Sequence, residues 1–599
     1  MLRITGVVLL LSSIASCHAQ STADSARIAE LMTVLRERHF APRAIDDRFS
    51  ADIFDSYLRV LDPDTLFLSL LEREALASDR LRIDDQLAHG VPPFVYRCDS
   101  LMNAGLLRAS SLLNGAGTSA AHADVHLRWN RRLAERCALV RSATGAAEEV
   151  AWSVVRPRAQ NDLRTRIEHG RDERMDLFLG TLANVHDAQS TYLSAEERTG
   201  FDHAMTQSFV GIGVTLTSTD GRIRIDSMEP GGPAALSGAL LAGDELLTIR
   251  DASGEAVPVP GLSIDGAVEL LRGAAGSQVE LFVRKPDGTQ RTVSLERALI
   301  HPAAGRARAC VVRGAGPPVG VIALPRFYTD LSGGNGPRCS QDVAEVLDSL
   351  LRMDIGSLVI DLRDNQGGSM SETIHILGLF LDAAPVAQRL ARDGTVRVLS
   401  TTAERARYRG SLVVLVNERS ASASEFFAAA LQDHKRAVVM GGPRTYGKGT
   451  IQSMVDLAPI IDADGASTSA GSAKITVGLF FRPSGRSVQL EGVVPDIVLD
   501  GEPSLEPTGE RALPFAMKHD GIAACAITPW NTEGALPAEV IQRTRDRKTA
   551  GALSASASML TTSWNTQVAA TSIDVNDPGM LRAVLLLQDA SGVAASHTR

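Results

Sequence analysis

The sequence "SLVVLVNERSASASEFFAAALQDH", residues 411–434, joins an uninterrupted apolar run to a polar loop and then to a run typical of a helix. The apolar run predicts a buried β-strand, and the loop connects it to a helix that begins near Ser424. Within the loop, Ser420, Ser422 and Ser424 alternate with alanine. The stretch therefore raises the question of whether one of these serines is a nucleophile at a strand-to-helix junction.

Strands and helices alternate on both sides of this stretch, from about Val319 to Asp500. Such alternation predicts an α/β layer with a largely parallel sheet. Two paired strands, "SAKITVGLFFRP" (residues 472–483) and "SVQLEGVV" (residues 487–494), are predicted near its end. In sheets of this kind, ligand sites lie at the carboxyl ends of the strands.

The flanking regions have different patterns. From about Ser25 to Glu197 apolar residues recur at three- and four-residue intervals, which predicts helices that we interpret as a scaffold without chemistry. Between about Ser208 and Arg297 short alternating runs predict a compact β domain with a single helix. Beyond Asp500 a linker rich in Pro, Gly and Glu leads to a tail with some helix and no motif.

Composition limits the class of protein. The 599 residues are too many for one hydrophobic core and predict roughly three or four domains. The hydrophobic content of 44%, the charged content of 22% and the net charge of −9 are typical of a soluble globular protein. This mild negative charge argues against nucleic acid as a partner.

The first twenty residues, "MLRITGVVLLLSSIASCHAQ", have the layout of a secretory signal, so we expect the mature protein to be exported. The segment "IASC" resembles a bacterial lipobox, which would make Cys17 a lipidated N-terminus. Cleavage after Ala19 is the competing interpretation. No later segment reaches the ~18 apolar residues that a membrane-spanning helix needs.

Five cysteines remain outside this segment. An oxidising compartment permits disulfides, and the pairs nearest in sequence are Cys98 with Cys137 and Cys310 with Cys339. The odd number leaves at least one thiol free, Cys525 being the fifth. None of the spacings is that of a metal site, so the sequence predicts no metal.

Two loops that follow predicted strands carry the residues of interest. "DLRDNQGG", residues 361–368, ends in paired glycines, whose backbone N–H groups suit an oxyanion hole but also suit an ordinary turn. In "ERSAS", Ser422 precedes the unpaired N–H groups of a helix. A serine at this place can be a nucleophile whose own loop donates hydrogen bonds to the oxyanion. "SASE" also fits a capping box, so a capping role for Ser422 stays open at this point. If the two strands are parallel neighbours, the loops meet at one edge of the sheet.

A serine nucleophile needs a base. In a continuous helix, His434 would lie roughly 18 Å from Ser422 along the axis and Asp433 roughly 16 Å, so neither is expected to touch the hydroxyl. Lys448, in "YGKGTIQ" after the next strand, is the alternative. It requires a pKa lowered from about 10.4 to near 7, which burial can supply. Gln452, four residues on, could hold the amine of Lys448 by a hydrogen bond. The competing interpretation is that Lys448 is a solvated charge on the surface.

A phosphate loop is the other interpretation of the same stretch. "GPRTYGKG", residues 442–449, matches the G-x-x-x-x-G-K part of the Walker pattern. Gly449 then stands where that pattern needs a hydroxyl for Mg²⁺, and "TIQSMVDLAP" after it predicts a strand rather than a helix. We therefore do not favour a nucleotide site.

Together, these motifs resemble the tail-specific, or carboxyl-terminal processing, proteases, in particular their large periplasmic branch. The resemblance extends from about Phe54 to Asp500. It rests on the following motifs: "IFDSYLRVLDPDTLFL", "GIGVTL", "IDSMEPGGPAALSGALLAGDELLTI", "DLRDNQGG", "SASASEFFAAALQDH", "YGKGTIQ" and "FRPSGRSVQLEGVVPDIVLD".

The resemblance implies an α/β multidomain serine endopeptidase with a Ser-Lys dyad, an inserted PDZ-like β domain and a ClpP/crotonase-like protease core, with no cofactor. It places a helical region first and a small, mostly helical region last. The expected boundaries are 1–20 for the signal, 21–204 for the helical domain, 205–300 for the PDZ domain, 301–502 for the protease core and 503–599 for the C-terminal region.

The resemblance also implies roles for individual residues. Ser422 resembles the nucleophile, Lys448 the general base, Gln452 the residue that orients that lysine, and Asp433 an acidic residue implicated in the family. The remaining implied groups are backbone N–H groups. They are those of Gly368 and Ala423 for the oxyanion hole, and those of Gly211, Ile212 and Gly213 for binding a substrate's C-terminus.

Two departures from the family pattern concern the turn before Lys448. The interval from Ser422 is 26 residues, one more than the pattern leads us to expect, and Gly442 stands where an acidic residue is common. The expected partners are proteins bound through their C-terminal tails, with an adaptor lipoprotein as a further one, on the periplasmic side of a bacterial envelope. A non-proteolytic PDZ scaffold or tail-binding chaperone is the rival from another class, and a Ser-His-Asp esterase through His434 is a third.

Overall fold

The structure is a computed structural model. It describes residues 22–597 except 116–121, 145–146, 169, 220–221, 251–253, 255, 260–261, 263, 303–304, 315, 331–335, 462–466, 500–507, 531–533, 547–560, 565–572 and 575–576. The predicted signal segment and Cys17 lie outside the described residues.

The first region is helical, as the three- and four-residue periodicity predicts. In the second helix, for example, Phe49, Ile53 and Tyr57 are fully buried, because this spacing places them on one face of the helix. The helices of this region are α1 (22–38), α2 (Asp47–Leu61), α3 (Leu70–Leu76), α4 (Ile83–Leu87), α5 (Pro93–Leu113), α6 (Ala123–Thr144), α7 (Glu148–Glu168) and α8 (Gly170–Asn184). A short strand, β1 (Thr191–Leu193), and helix α9 (Ala195–Met205) follow.

The second region is the predicted β domain. It contains β2 (Phe209–Gly211), β3 (Val214–Thr219), β4 (Arg222–Met228), α10 (Pro233–Ser237), β5 (Glu245–Arg250), β6 (Ala256–Pro258), α11 (Ile264–Leu271), β7 (Gln278–Arg284), β8 (Gln290–Glu296) and β9 (Ala298–Ile300). Its main sheet has the order β3-β4-β5-β7-β8, and β2 pairs with β9. Strand β3 therefore lies at an edge of the sheet, close to α11.

The third region is the predicted α/β layer. Its elements are β10 (Arg308–Arg313), β11 (Val319–Ala323), α12 (Cys339–Arg352), β12 (Ser357–Asp361), α13 (Met370–Leu377), β13 (Pro385–Ala391), β14 (Val396–Ser400), β15 (Ser411–Val416), α14 (Ala423–Asp433), β16 (Val438–Gly441), β17 (Thr450–Asp456), β18 (Ile460–Ile461), β19 (Ser467–Thr468), β20 (Ser472–Phe481) and β21 (Ile497–Val498). Strands β11, β12, β15, β16 and β21 pair in parallel. The prediction of a largely parallel sheet is confirmed.

A second, antiparallel sheet lies beside the first. Its central strand, β20, pairs with β13, with β17 and with β1 from the helical region. The prediction of a strand over "SVQLEGVV" is wrong. Leu490 and Gly492 have positive φ angles of 66° and 69°, and the N–H of Leu490 is bonded to the carbonyl of Gly447 rather than to a neighbouring strand.

The C-terminal region returns to the core. Residues 508–530, which we call the strap, run mostly without helix or strand across it. Three elements complete the region: α15 (Ala538–Asp546), β22 (Thr561–Trp564), which pairs with β10, and α16 (Pro578–His597). Met580, Val584 and Leu587 of α16 are buried against one face of the parallel sheet.

The described cysteines, Cys98, Cys137, Cys310, Cys339 and Cys525, all carry free thiols, so neither of the disulfides considered from the sequence is formed. Within the described ranges, no helix is both long and apolar enough to cross a membrane.

Candidate active site

Three loops meet at the carboxyl edge of the parallel sheet. They follow β12, β15 and β16, which are adjacent parallel strands, as the sequence predicts for the first two loops. The loops form one wall of a cleft of about 780 Å³. Five residues implied by the resemblance line this cleft: Ser422, Lys448, Gln452, Gly368 and Ala423.

Ser422 is distinguished from the other two serines by its surroundings. The hydroxyls of Ser420 and Ser424 are fully buried and donate to the carbonyls of Leu362 and Asn365, both at 2.8 Å. Ser422 instead lines the cleft and precedes α14 as its N-cap residue. Its φ of 54° and ψ of −110° are rare for a residue with a side chain, and such strained geometry is characteristic of functional sites.

The paired glycines are required by close packing. A Cβ atom on Gly367 would lie 2.7 Å from the carbonyl oxygen of Ala421 and 2.9 Å from the Cβ of Ser422. One on Gly368 would lie 2.2 Å from the carbonyl oxygen of Phe327, and both glycines have positive φ. No larger residue fits without displacing the loop.

Gly368 and Ala423 both line the cleft, and their backbone N–H groups donate to no acceptor in the described part of the chain. Asn365 holds the glycine turn in this conformation. Its side-chain oxygen accepts the N–H of Gly367, and its side-chain nitrogen donates to the carbonyl of Leu324, both at 2.8 Å. Unpaired, fixed N–H groups of this kind can stabilise an oxyanion. The role of Asn365 was not predicted, although it lies within the quoted motif.

Glu425 joins the serine loop to the lysine loop. The sequence predicts only a capping role, and its carboxylate does accept the N–H of Ser422 at 2.8 Å. The same oxygen accepts the N–H of Lys448 at 2.8 Å, while the other accepts the N–H of Gly447 and the hydroxyl of Thr445, both at 2.6 Å. Burial raises the pKa of Glu425 to about 7, against the effect of these four donors. The carboxylate thus fixes Ser422 and Lys448 relative to each other.

Lys448 has the environment that a lysine base requires. Burial is the main cause, and the positive charge of Lys474 the second, of a pKa lowered to about 8. The nearby carboxylates of Glu510 and Glu425 oppose this shift but do not outweigh it. On either side of the lysine, the N–H of Gly447 is bound by Glu425 and that of Gly449 by the side-chain oxygen of Gln489, at 2.7 Å. The extra residue in the preceding turn does not remove Lys448 from the cleft.

Gln452 lies on β17 and lines the same cleft as Lys448. Its amide nitrogen donates to the hydroxyls of Thr450, at 2.9 Å, and Thr476, at 3.2 Å. Because both protons of the amide nitrogen are used in this way, its oxygen is left to accept from another donor. A neutral lysine amine is such a donor.

The strap supports the lysine loop from behind. Glu510, which is buried, donates its N–H to the carbonyl of Tyr446 at 3.0 Å. Its carboxylate accepts from the side chains of Gln489, at 3.2 Å, and Gln189, at 2.6 Å. The C-terminal region, in which the sequence shows no motif, therefore contacts the loop that carries Lys448.

Asp433, which the resemblance implies, and His434, which was considered as a base, lie outside the cleft. Asp433, at the last turn of α14, forms an ion pair with Arg482 and accepts the N–H of Ser484 at 3.0 Å. The ring nitrogens of His434 contact the carbonyls of Pro385, at 2.6 Å, and Thr528, at 3.3 Å. Neither side chain lines the cleft, in agreement with the length of the helix.

The predicted tail-binding loop lies in the β domain. Gly211 belongs to β2, whereas Ile212 and Gly213 form the connection to the edge strand β3. The N–H groups of Ile212 and Gly213 donate to no acceptor within the described ranges. Free amides beside an open strand edge can receive an extended peptide.

Comparison with known proteins gives matches over most of the chain. Residues 318–499 match the family described as "Peptidase family S41", and residues 31–115 match "Tail specific protease N-terminal domain". The chain is 29% identical over 511 residues to the tail-specific protease of Haemophilus influenzae, covering 80% of this chain and 71% of that protein. It is 32% identical over 376 residues to the chloroplastic carboxyl-terminal-processing peptidase 2 of Arabidopsis thaliana, covering 61% of this chain and 67% of that protein.

Solved structures match two parts of the chain. The photosystem II D1 C-terminal processing protease is 25% identical, with a TM-score of 0.31, and the match covers 59% of this chain and 89% of that one. The PDZ domain of a carboxy-terminal protease from Vibrio cholerae, solved in complex with a peptide, is 37% identical, with a TM-score of 0.15. That match covers 16% of this chain and 97% of the domain.

Proposed function

The chain belongs to peptidase family S41, the tail-specific or carboxyl-terminal processing proteases, and on that premise we propose that it cleaves proteins with a dyad of Ser422 and Lys448. Membership of the family makes it a serine peptidase, which hydrolyses peptide bonds. The assignment of the dyad and of its supporting residues rests on the geometry of the cleft.

In the proposed mechanism the neutral amine of Lys448 takes the proton of the Ser422 hydroxyl as Oγ attacks the carbonyl carbon of the scissile bond. The N–H groups of Gly368 and Ala423 stabilise the resulting oxyanion. Lys448 then gives the proton to the leaving amine, which departs with the C-terminal fragment and leaves an acyl-enzyme. Water, deprotonated by the same lysine, hydrolyses the ester and restores the serine.

One observation carries this proposal. A strained serine, a lysine with a lowered pKa and two unpaired amides line the same cleft, and all but the lysine come from the two loops that follow β12 and β15. A capping role alone would explain the position of Ser422, but not the burial of Lys448 or the free amide of Gly368. We propose a structural role for Asp433, since its carboxylate is used by Arg482 and Ser484.

We propose that the β domain binds the apolar C-terminal tail of the substrate. The support is the open edge of β3, the adjacent helix α11 and the free N–H groups of Ile212 and Gly213. A tail would add as a strand to β3, and its carboxylate would accept from the two amides. In this arrangement the tail is held in one domain while the chain reaches Ser422 in another.

The decisive experiment is incubation of the protein with an unstructured polypeptide ending in Leu-Ala-Ala. Cleavage is expected with the wild type and is expected to be lost in Ser422→Ala and in Lys448→Ala, both of which should keep the melting temperature within a few degrees. Full activity in either variant would refute the dyad. Binding of the polypeptide without any hydrolysis by the wild type would instead favour a non-proteolytic tail-binding scaffold.

We also propose that the protein is exported to the periplasmic side of a bacterial envelope, with an adaptor lipoprotein as a further partner. The support is the signal-like layout of residues 1–20 and the resemblance described above. Mass spectrometry of the mature N-terminus separates the two processing routes. A lipid-modified chain starting at Cys17 would establish a membrane anchor, whereas an unmodified chain starting at Gln20 would exclude one.

A further inference from the structure

A continuous line of buried hydrogen bonds leads from Gln452 into the helical region. Gln452 donates to the hydroxyl of Thr476 on β20, and that hydroxyl donates to the carboxylate of Asp187, at 3.0 Å. The other carboxylate oxygen of Asp187 contacts the Nε2 of His39 at 2.7 Å. Thr476, Asp187 and His39 are at most 1% exposed. The region that the sequence suggests to be a scaffold without chemistry therefore contacts the cleft wall.

The direction of these hydrogen bonds is fixed at the far end of the line. His39 Nδ1 accepts the backbone N–H of Ala41 at 3.1 Å, so the Nε2 of a neutral ring carries the proton and donates to Asp187. The N–H of Gln189 and the hydroxyl of Ser190 also donate to Asp187. Burial opposes the charge of Asp187, but the hydrogen bonds from His39 and Ser190 outweigh it and lower its pKa.

An ionised Asp187 can only accept, so Thr476 must spend its single hydroxyl proton on it. The oxygen of Thr476 is then available only as an acceptor, and it is the amide nitrogen of Gln452, not the amide oxygen, that can face it. The hydroxyl of Thr450 holds the second proton of the same nitrogen. The amide of Gln452 is thereby kept from turning over, and its oxygen faces away from both threonines.

We propose that Asp187 and Thr476 are positioning residues, which orient the amide of Gln452 and through it the amine of Lys448. This inference rests on the proposed function, and it adds that the side-chain oxygen of Gln452 accepts an N–H of the Lys448 amine. Since Asp187 belongs to the segment that follows α8, the helical region supplies the outer part of the catalytic arrangement. The alternative is that the line of bonds merely fastens the helical region to β20.

The two alternatives differ in the coupling between Thr476 and Gln452. Thr476→Val removes the hydroxyl and keeps the shape, and the backbone N–H of Thr476 retains its bond to Ser190. We expect it to lower kcat about tenfold at unchanged KM, the effect of about one hydrogen bond. In a Gln452→Ala background the same substitution should lower kcat by less than about twofold, because its target is already gone.

Three further variants complete the test. Thr476→Ser, which keeps the hydroxyl, should restore most of the activity lost in Thr476→Val. Thr181→Val removes an equally buried hydroxyl of the helical region that bonds only within its own helix, to the carbonyl of Leu177, and should leave kcat unchanged. Asp187→Asn is expected to behave as Thr476→Val does, again only when Gln452 is present.

The proposal is overturned if Thr476→Val is fully active, if Thr476→Ser is as impaired as the valine variant, or if the tenfold loss persists without Gln452. The last result would indicate fastening of the helical region rather than positioning. These failures are separate from failure of the proposed function, which Ser422→Ala and Lys448→Ala report by themselves. Full activity of Gln452→Ala would remove the premise before the cycle is measured.

Discussion

At the scale of single residues, Glu425 shows how one side chain serves two loops. Its two oxygens accept four donors, one from the serine loop and three from the lysine loop. Such a site requires an acceptor at every position, because all four partners are donors. The carboxylate is thus selected by hydrogen-bond chemistry rather than by charge alone.

Glu425→Gln tests this requirement. An amide nitrogen would face at least one N–H or hydroxyl donor, so we expect a loss of about 1–3 kcal/mol in the free energy of unfolding. Displacement of Ser422 from Lys448 should lower kcat about a hundredfold. Urea unfolding and peptide cleavage measure the two effects. Glu345→Gln, at an exposed position of α12, is the matched control, and wild-type values for both variants would contradict the prediction.

The pH dependence of cleavage follows from Lys448. With a pKa of about 8, the amine is mostly protonated at pH 7, so kcat/KM should rise with pH and reach half its maximum near pH 8. Lys474→Met removes the neighbouring positive charge. Loss of this repulsion favours the protonated form of Lys448 and raises the pKa of Lys448. The rising limb should then move to higher pH, with about threefold lower activity at pH 7, the effect of about half a pKa unit.

The control for this profile is Lys518→Met, because Lys518 is an exposed lysine of the strap. It should leave the rising limb in place. A limb that stays in place or moves to lower pH in Lys474→Met would contradict an effect of the Lys474 charge on the base.

Single residues divide into those that the sequence predicts and those that it does not. Ser422 and Lys448 lie in recognisable motifs, and helix length alone excludes His434. The double use of Glu425 depends on Thr445 and Gly447, which belong to another loop. No local pattern contains that information, because a hydrogen bond between loops depends on how two strands are placed.

At the scale of elements, the site depends on three adjacent parallel strands that end at one edge. The glycine turn after β12 is packed so closely against Phe327 and Ala421 that it has no room for a side chain. The alternation of strands and helices predicts this edge well. The mistaken strand at residues 487–494 shows the limit: Val488 and Val493 are buried, but a turn brings Gln489 to the N–H of Gly449.

Gly368→Ala should remove the oxyanion hole. Its Cβ would lie 2.2 Å from the carbonyl oxygen of Phe327, so the turn must move and carry the N–H group away. We expect kcat to fall about 10²–10³-fold, as for the loss of one oxyanion donor. Gly200→Ala on α9, where a Cβ would meet nothing within 4 Å, is the control. Near-normal cleavage by Gly368→Ala would exclude this amide from the reaction.

At the scale of the whole molecule, the cleft is assembled from distant parts of the chain. Gln189 and Glu510, which hydrogen-bond beside the lysine loop, are 321 residues apart in sequence. The strap also contacts Ala188 through the carbonyl of Phe515, and the guanidinium groups of Arg409 and Arg436 lie over the ring of Trp530. The sequence predicts the separate regions but not these contacts, because neither the linker nor the helical region carries a motif for them.

Glu510→Ala tests the support that the strap gives to the lysine loop. The side-chain N–H groups of Gln189 and Gln489 would lose their buried acceptor, which leaves the bond from Gly449 to Gln489 less well held. We expect about tenfold lower kcat and a lower melting temperature. Glu539→Ala, on the exposed face of α15, should change neither. Unchanged kcat in Glu510→Ala would show that the strap acts only as packing.

The strap follows all the reactive residues in the sequence. Ribosomes build the chain from its N-terminus, so Ser422, Lys448 and Gln452 exist before Glu510 and the rest of the strap are added. A chain that ends before the strap has all the reactive side chains but lacks Glu510, whose carboxylate supports the loop that carries Lys448. We therefore expect a chain that stops before the strap to hydrolyse peptides less efficiently than the full chain, although it contains both residues of the dyad.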